Sequence, residues 1–316
     1  MSYVVTGGCG FIGSNFVNYL NAIVDDEIIV LDNLTYAGDS DYLNESDKIR
    51  VVNCDINNDV FVHNLIRHNE PKAIFHFAAE SHVDNSITDP GIFVHTNTVG
   101  TMCLLQGVKE HSPKTRFVHI STDEVYGALD HGGPSFLENK VLEPNNVYSA
   151  SKAGADLLVR AYHKTYGLDV ITTRCCNNYG PHQHTEKLLP KVISSAINDA
   201  SIPVYGKGDN VREWIFVDDH CKCIYEAFKL GESGEIYNIG SGVEINNLDI
   251  VKKILSKMSK PFSLIKFVKD RPGHDFRYSI DSSKMNNLMG SAFPYMNIDE
   301  GLDETIRWYN EHIQAS

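Results

Sequence analysis

Thr6-Gly7-Gly8-Cys9-Gly10-Phe11-Ile12-Gly13 stands between a short β-branched run, Tyr3–Thr6, and a segment of helical pattern over residues 12–24. The glycines at 7, 10 and 13 fall at i, i+3 and i+6, where a strand must turn sharply into a helix. Such a turn lets the backbone approach a pyrophosphate, packs helix on strand, and aims the helix N-terminus at the anion. Alone, a glycine pattern is a weak signal. Here a strand precedes it, a helix follows, and Asp32 ends a second strand nineteen residues beyond Gly13. A carboxylate there suits an adenosine ribose diol and repels a 2′-phosphate; with no arginine following at once, the pattern favours NAD over NADP. Asp55 and Ile56, after a third strand, are placed for the adenine, although an acidic turn residue is ordinary there.

Outward from this turn, the first half alternates short apolar runs with helix-length segments. Strands are expected at Tyr3–Thr6, Glu27–Leu31, Arg50–Asn53, Ala73–Phe77, Phe117–Ser121 and Asp169–Thr173, with helices near 12–24, 57–69, 91–111 and 147–166. Nearly continuous apolar strands separated by helices predict an α/β fold: a doubly wound parallel Rossmann sheet covered on both faces. Residues 1–175 form the dinucleotide-binding domain on this reading, and 176–316 a smaller, interwoven domain. Segments near 211–240 are expected to return to the first. Past residue 175, turn-rich stretches at 177–181 and 202–210 flank a helix near 185–199. Strands are expected at Trp214–Val217 and Ile236–Ile239, helices at 245–258 and 300–313.

The chain carries 28 basic against 41 acidic residues, a net charge of −13 over 316 residues. That balance argues against general binding to nucleic acid or acidic membranes. No apolar stretch approaches the roughly 18 residues of a membrane span, and the N-terminus runs straight into a strand. Seven cysteines without a disulfide framework fit a reducing, cytoplasmic compartment. Cys221-x-Cys223 beside His220 is too cramped for a usual zinc site and reads as buried thiols at a helix start, so no metal is expected.

Two further groups carry chemistry. Ser121-Thr122-Asp123-Glu124 follows the fifth strand, and Tyr148-Ser149-Ala150-Ser151-Lys152 opens the fourth helix. Tyr148 and Lys152, at i and i+4, share a helix face. A phenol near pKa 10 is a poor base at neutral pH, and a neighbouring ammonium together with the positive nicotinamide is expected to lower it. Adjacent carboxylates at a strand end suit acid–base work when their environments separate their pKa values; the plainer reading is a turn cap.

Together these residues resemble the extended short-chain dehydrogenase/reductase family of nucleotide-sugar enzymes, and within it the branch of dTDP-glucose and UDP-glucose 4,6-dehydratases. The resemblance spans the chain: Thr6–Gly13, Leu31–Gly38, Phe77–Asp84, Ser121–Gly127, Tyr148–Lys152, Asn177–Pro181 and Arg271–Asp275. The Thr122-Asp123-Glu124 triplet is specific to this branch; related decarboxylases and GDP-mannose dehydratases usually carry Ser in the middle, and epimerases usually lack the acid pair. The resemblance implies oxidation at C4 of the hexose, elimination of water across C5–C6 and reduction at C6, with NAD recycled. Tyr148 would take the O4 proton, Thr122 would bind O4, Glu124 would remove the C5 proton, and a protonated Asp123 would donate to the departing C6 hydroxyl. Lys152 would bind the nicotinamide ribose.

The resemblance also assigns cofactor contacts to Gly7, Gly10, Phe11, Ile12, Gly13, Asp32, Asn33, Leu34, Thr35, Asp55, Ile56, Ala78, Ala79, Ser81, Thr98 and Asn177. Substrate contacts fall to Ser81, His82, Asn177, Glu186, Lys187, Leu188, Pro203, Tyr205, Arg212, Asn246, Arg271 and His274, with Arg212, Arg271 and Lys187 on the pyrophosphate and Tyr205 against the base. Asn85 stands where the family usually has Arg, and His182–Thr185 replaces a more aromatic stretch; both are expected near the sugar or its phosphates. Helices 91–111 and 147–166 would form a homodimer interface. The product, a 4-keto-6-deoxyglucose nucleotide, is a precursor of the rhamnose type. Two rival readings share the scaffold: a 4-epimerase or decarboxylase, and a non-catalytic NAD-bound regulatory protein.

Overall fold

A computed structural model describes residues 1–270, 273–290 and 293–313. The chain runs through β1 (Ser2–Thr6), α1 (Phe11–Ile23), β2 (Glu27–Asp32), β3 (Ile49–Asn53), α2 (Asp59–Asn69), β4 (Ala73–His76), α3 (Val83–Thr88) and α4 (Pro90–Phe93). A π-helical turn, Val94–Gly100, leads into α5 (Thr101–His111). Then come β5 (Arg116–Thr122), α6 (Val147–Tyr166), β6 (Val170–Cys175), β7 (Asn177–Tyr179), α7 (Leu188–Ile197), β8 (Ile202–Tyr205), β9 (Val211–Phe216) and α8 (Val217–Leu230). The remainder is β10 (Ile236–Ile239), β11 (Glu244–Asn246), α9 (Asn247–Lys257), β12 (Ile265–Val268), α10 (Ser283–Leu288) and α11 (Ile298–Ile313).

Seven strands form one sheet in the order β10-β6-β5-β4-β1-β2-β3, every neighbouring pair parallel. The order reverses between β1 and β4, the switch point at which such sheets bind ligands. Alternating strand residues feed opposite cores. Tyr3, Val5, Ile28 and Val30 pack with α1 and α8, while Val4, Ile29 and Leu31 pack with α2 and α5. A third core joins α7, α9 and α11 around two small sheets, β11-β9-β7 and the parallel pair β12-β8. Of the 211–240 region, β10 joins the large sheet and α8 covers it, whereas β9 belongs to a small one.

The helix expected over 91–111 is interrupted. Asn97 leaves the helical ladder's side to bond Glu80 backbone at both its amide oxygen (2.8 Å) and nitrogen (3.0 Å), and Thr98 donates to the Ser151 carbonyl at 2.9 Å. These lateral bonds accompany the wider turn, which hydropathy cannot reveal. Val217, read as strand, starts α8, and Asn177–Tyr179, read as turn, pairs with β9.

Helix α6 is fastened to the sheet by charge. Asp156 lies 2.8 Å from Arg174 of β6 and 3.2 Å from His119 of β5, all fully buried or nearly so. The Arg174 guanidinium also stacks on Tyr126, 4.7 Å from its centroid. Its charge holds the Asp156 carboxyl far below the usual range, despite burial. Removing one member of a buried pair strands the other. Asp156→Asn is expected to cost about 3–5 kcal/mol in chemical denaturation at neutral pH. A loss below about 1 kcal/mol would contradict this account.

Candidate functional site

The carboxyl ends of β1, β2, β4, β5 and β6 open into a cavity of about 540 Å³. Its floor is the glycine turn. Gly7 has φ +68°, and a Cβ there would sit 2.5 Å from the Ala78 nitrogen. A Cβ on Gly13 would strike the Gly7 carbonyl at 2.1 Å, so both positions are closed to side chains by the fold itself. Gly10 differs: its Cβ would meet only the Gly7 oxygen, at 3.4 Å. Its bareness therefore keeps open the cavity rather than the packing. Helix α1 has no side-chain cap and no acidic residue in its first turn, which leaves its N-terminal field unneutralised. At the end of β2, the Asp32 carboxylate accepts from Cys9 N at 2.9 Å and Leu34 N at 2.8 Å, fixing it in the wall.

Across the cavity, Thr122 ends β5 and caps a single 3₁₀ turn, Asp123–Tyr126, by accepting from Glu124 N at 3.3 Å. Its hydroxyl donates to Asp123 Oδ1 at 3.3 Å. Asp123 Oδ2 is buried with no hydrogen-bond partner among the described residues. Burial, with Glu124 and Glu213 adding repulsion, raises the Asp123 carboxyl well above the usual range, which favours its neutral form. Helix α6 begins where Asn146 and Ser149 cap each other reciprocally, placing Tyr148 in the first turn and Lys152 one turn on. The Lys152 ammonium donates to the Ile120 carbonyl at 2.7 Å, and burial lowers its pKa to about 8.

The chain's own groups do not by themselves lower Tyr148. Burial and the Glu124 carboxylate raise the phenol well above its ordinary value, while a hydrogen bond with Thr122 works the other way. Lys152 spends its proton on a carbonyl, and its charge does not outweigh these.

Most expected residues converge. Gly7, Gly10, Phe11, Ile12, Gly13, Asp32, Asn33, Thr35, Asp55, Ile56, Ala78, Ala79, Ser81, Thr122, Asp123, Glu124, Tyr148, Lys152, Asn177, Glu186 and Lys187 line the cavity. At its mouth Lys187 donates to the Ser81 carbonyl at 2.8 Å, and Glu186 lies 4.0 Å from His82 and 3.7 Å from His184. Others are not brought there. Leu34 donates its backbone N–H to Asp32, and Leu188 opens α7 against the third core; Thr98 bonds Ser151; Asn246 caps α9. Arg212, expected on a pyrophosphate, is buried and donates to the carbonyls of Val211, Asp275 and Phe276. Tyr205 donates to Asp84 at 3.2 Å and meets His274 edge-on, with Pro203 beside it on β8, all outside the cavity lining. Arg271 lies outside the described residues. Asn85 bonds the Tyr36 hydroxyl at the mouth. His182, expected near the sugar, instead stacks on Tyr42 at 4.5 Å and bonds Ser14 at 2.9 Å, because its φ of +70° turns it onto α1. Sequence reasoning missed Glu80, His95, Thr96 and Cys175 in the wall. The polar run His95-Thr96-Asn97-Thr98 inside an apolar helix was the available signal.

A doubly wound dinucleotide fold with redox and acid–base side chains gathered at one strand end defines a class of cofactor-dependent enzymes. The sequence profile of GDP-mannose 4,6 dehydratase matches residues 4–305, and the chain belongs to that family. It is 47% identical over 313 residues to the low-salt glycan biosynthesis protein Agl12 of Haloferax volcanii, covering 98% of each. It is 43% identical to dTDP-glucose 4,6-dehydratase of Escherichia coli, over 98% of this chain and 93% of that one. The crystal structure of DesIV, a dTDP-glucose 4,6-dehydratase from Streptomyces venezuelae with NAD and TYD bound, superposes with a TM-score of 0.95 at 46% identity, covering 100% and 98%.

Lys152 titrates at about 8 when folded and near 10.5 when unfolded, so its burial costs stability below pH 8 and the cost vanishes above pH 10.5. Lys152→Met is therefore expected to gain on wild type at pH 7, with the gap narrowing by about 3 kcal/mol as pH rises through that window. Paired denaturation curves across pH check the sign.

Proposed function

We propose that the chain is an NAD-dependent nucleotide-sugar 4,6-dehydratase acting on dTDP-glucose, forming the 4-keto-6-deoxyglucose nucleotide and water. The observation that carries this reading is Asp123, a buried carboxyl whose neutral form is favoured, beside Glu124 and in one cavity with Tyr148. A redox site alone needs Tyr148 and Lys152; only loss of water needs a proton donor beside a base. The thymidine nucleotide follows the Escherichia coli relative and the TYD-bound structure.

The chain's residues fit NAD. Gly10 leaves open the space a side chain would fill, the uncapped start of α1 favours a pyrophosphate, and Asp32 suits a ribose diol. NAD, when bound, supplies the hydride acceptor that is regenerated within one turnover. With NAD bound, the Tyr148 phenol loses its proton to solvent, favoured by the positive nicotinamide and the Lys152 ammonium, and the phenolate then takes the proton from O4, with Thr122 holding that oxygen. Glu124, partly exposed, removes the proton at C5 once C4 is a ketone. Asp123 gives its proton to the oxygen leaving C6, a role favoured by the upward shift that burial gives its carboxyl. Lys152 orients the nicotinamide ribose. Exposed Ile92, Val94, Met102 and Leu157 on the segments 90–111 and 147–166 support a homodimer through these helices.

Asp123→Asn keeps the shape and removes the acid. Incubated with dTDP-glucose, the variant is expected to oxidise C4, seen as NADH absorbance, while water loss slows by about 10²–10⁴-fold. Mass spectrometry of wild-type product from dTDP-glucose and UDP-glucose, run side by side, should show loss of one water and preference for the thymidine donor. A product of unchanged mass would overturn the proposal.

A further inference from the structure

We propose that His63, Glu110 and His111 bind one transition-metal ion, Zn²⁺ by ligand type, bridging α2 and α5 outside the cavity. One donor atom from each lies within 4.8 Å of the other two. Glu110 Oε2 is the meeting point, 3.7 Å from His63 Nδ1 and 3.9 Å from His111 Nε2. Ligands of a tetrahedral zinc stand roughly 3.3–3.4 Å apart, given bonds of about 2.0–2.1 Å. Small side-chain rotations close the remaining distance, and none of the three lines the cavity.

Each donor is prepared by a neighbour. His63 Nε2 lies 3.3 Å from the Cys103 carbonyl, which only accepts, so Nε2 carries the proton and Nδ1 turns its lone pair to Glu110. Glu110 Oε1 accepts from the Gln106 amide, leaving Oε2 for an ion. The direction of that amide is set independently, because Gln106 Oε1 takes Tyr162 at 3.0 Å and Lys109 at 3.2 Å. The helices approach closely at Gly107, where a Cβ would fall 3.1 Å from the His63 ring and 2.8 Å from Ile66. This bare position brings a residue 47 places away in sequence beside Glu110. Two imidazoles and a carboxylate form a nitrogen–oxygen set that favours zinc over the oxygen-seeking calcium and magnesium. Glu110 is exposed, so a water molecule would complete the coordination.

Full-length protein stripped by chelator and desalted is titrated with ZnCl₂ calorimetrically. One ion per chain is expected, with a Kd of about 10 µM or tighter. Co²⁺ loaded in its place should give a spectrum without a thiolate charge-transfer band, excluding the seven cysteines as ligands. His111→Ala, near the surface, and His63→Gln should each weaken binding by about 100-fold or more, and Gln106→Ala by about 10–100-fold. No stoichiometric Zn²⁺ binding, a thiolate band, or unchanged affinity in both histidine variants would each overturn the proposal.

Discussion

The contact between Asp156 and Arg174 holds together more than a helix and a strand. Tyr148, Lys152 and Asp156 follow one another at intervals of four along α6, so all three lie on the face that meets the sheet. Three ionisable groups in a dry interface would be expensive alone. They are tolerated because Arg174 compensates Asp156 and the Ile120 carbonyl takes the Lys152 ammonium. The same ties set the height and rotation of α6, and hence where the phenol and ammonium enter the cavity.

Burial has opposite consequences on the two walls. On the glycine side the backbone itself is the recognition surface, and contacts of 2.1–2.5 Å at any added Cβ exclude side chains from Gly7 and Gly13. On the β5 side, burial raises both Asp123 and Tyr148 and lowers Lys152, each shift disfavouring charge. The resting site therefore favours a neutral acid and a neutral phenol, and the charges that matter arise only as the reaction develops. Neighbouring carboxylates, Glu124 and Glu213, reinforce the effect at Asp123.

Much of this was readable from local pattern. The glycine turn, the acid after β2, and α6 with its i, i+4 pair depend on residues close in sequence, where steric and helical periods act directly. The expected residues that the cavity lining lacks share a cause. Arg212 carries the right charge for a phosphate, yet three backbone carbonyls from its own strand and from 275–276 claim its guanidinium. His182 sits in a loop that faces the cavity at Gln183 and His184, but a left-handed backbone turns its ring to Tyr42. The π turn at Val94–Gly100 answers to Glu80 and Ser151, residues on other elements.

Local pattern alone carries the doubly wound sheet, the glycine turn and the placing of the candidate residues Asp123, Glu124, Tyr148 and Lys152. Each rests on short-range constraints: which residue tolerates a turn, which face repeats, which groups stand side by side. Packing across the chain is what buries Asp123, pushing its carboxyl upward, and what gives the Lys152 ammonium to the Ile120 carbonyl. It also decided that His63 meets Glu110. Burial and non-local neighbours set those states, because desolvation and charge proximity are properties of the packed chain and are written at no single position.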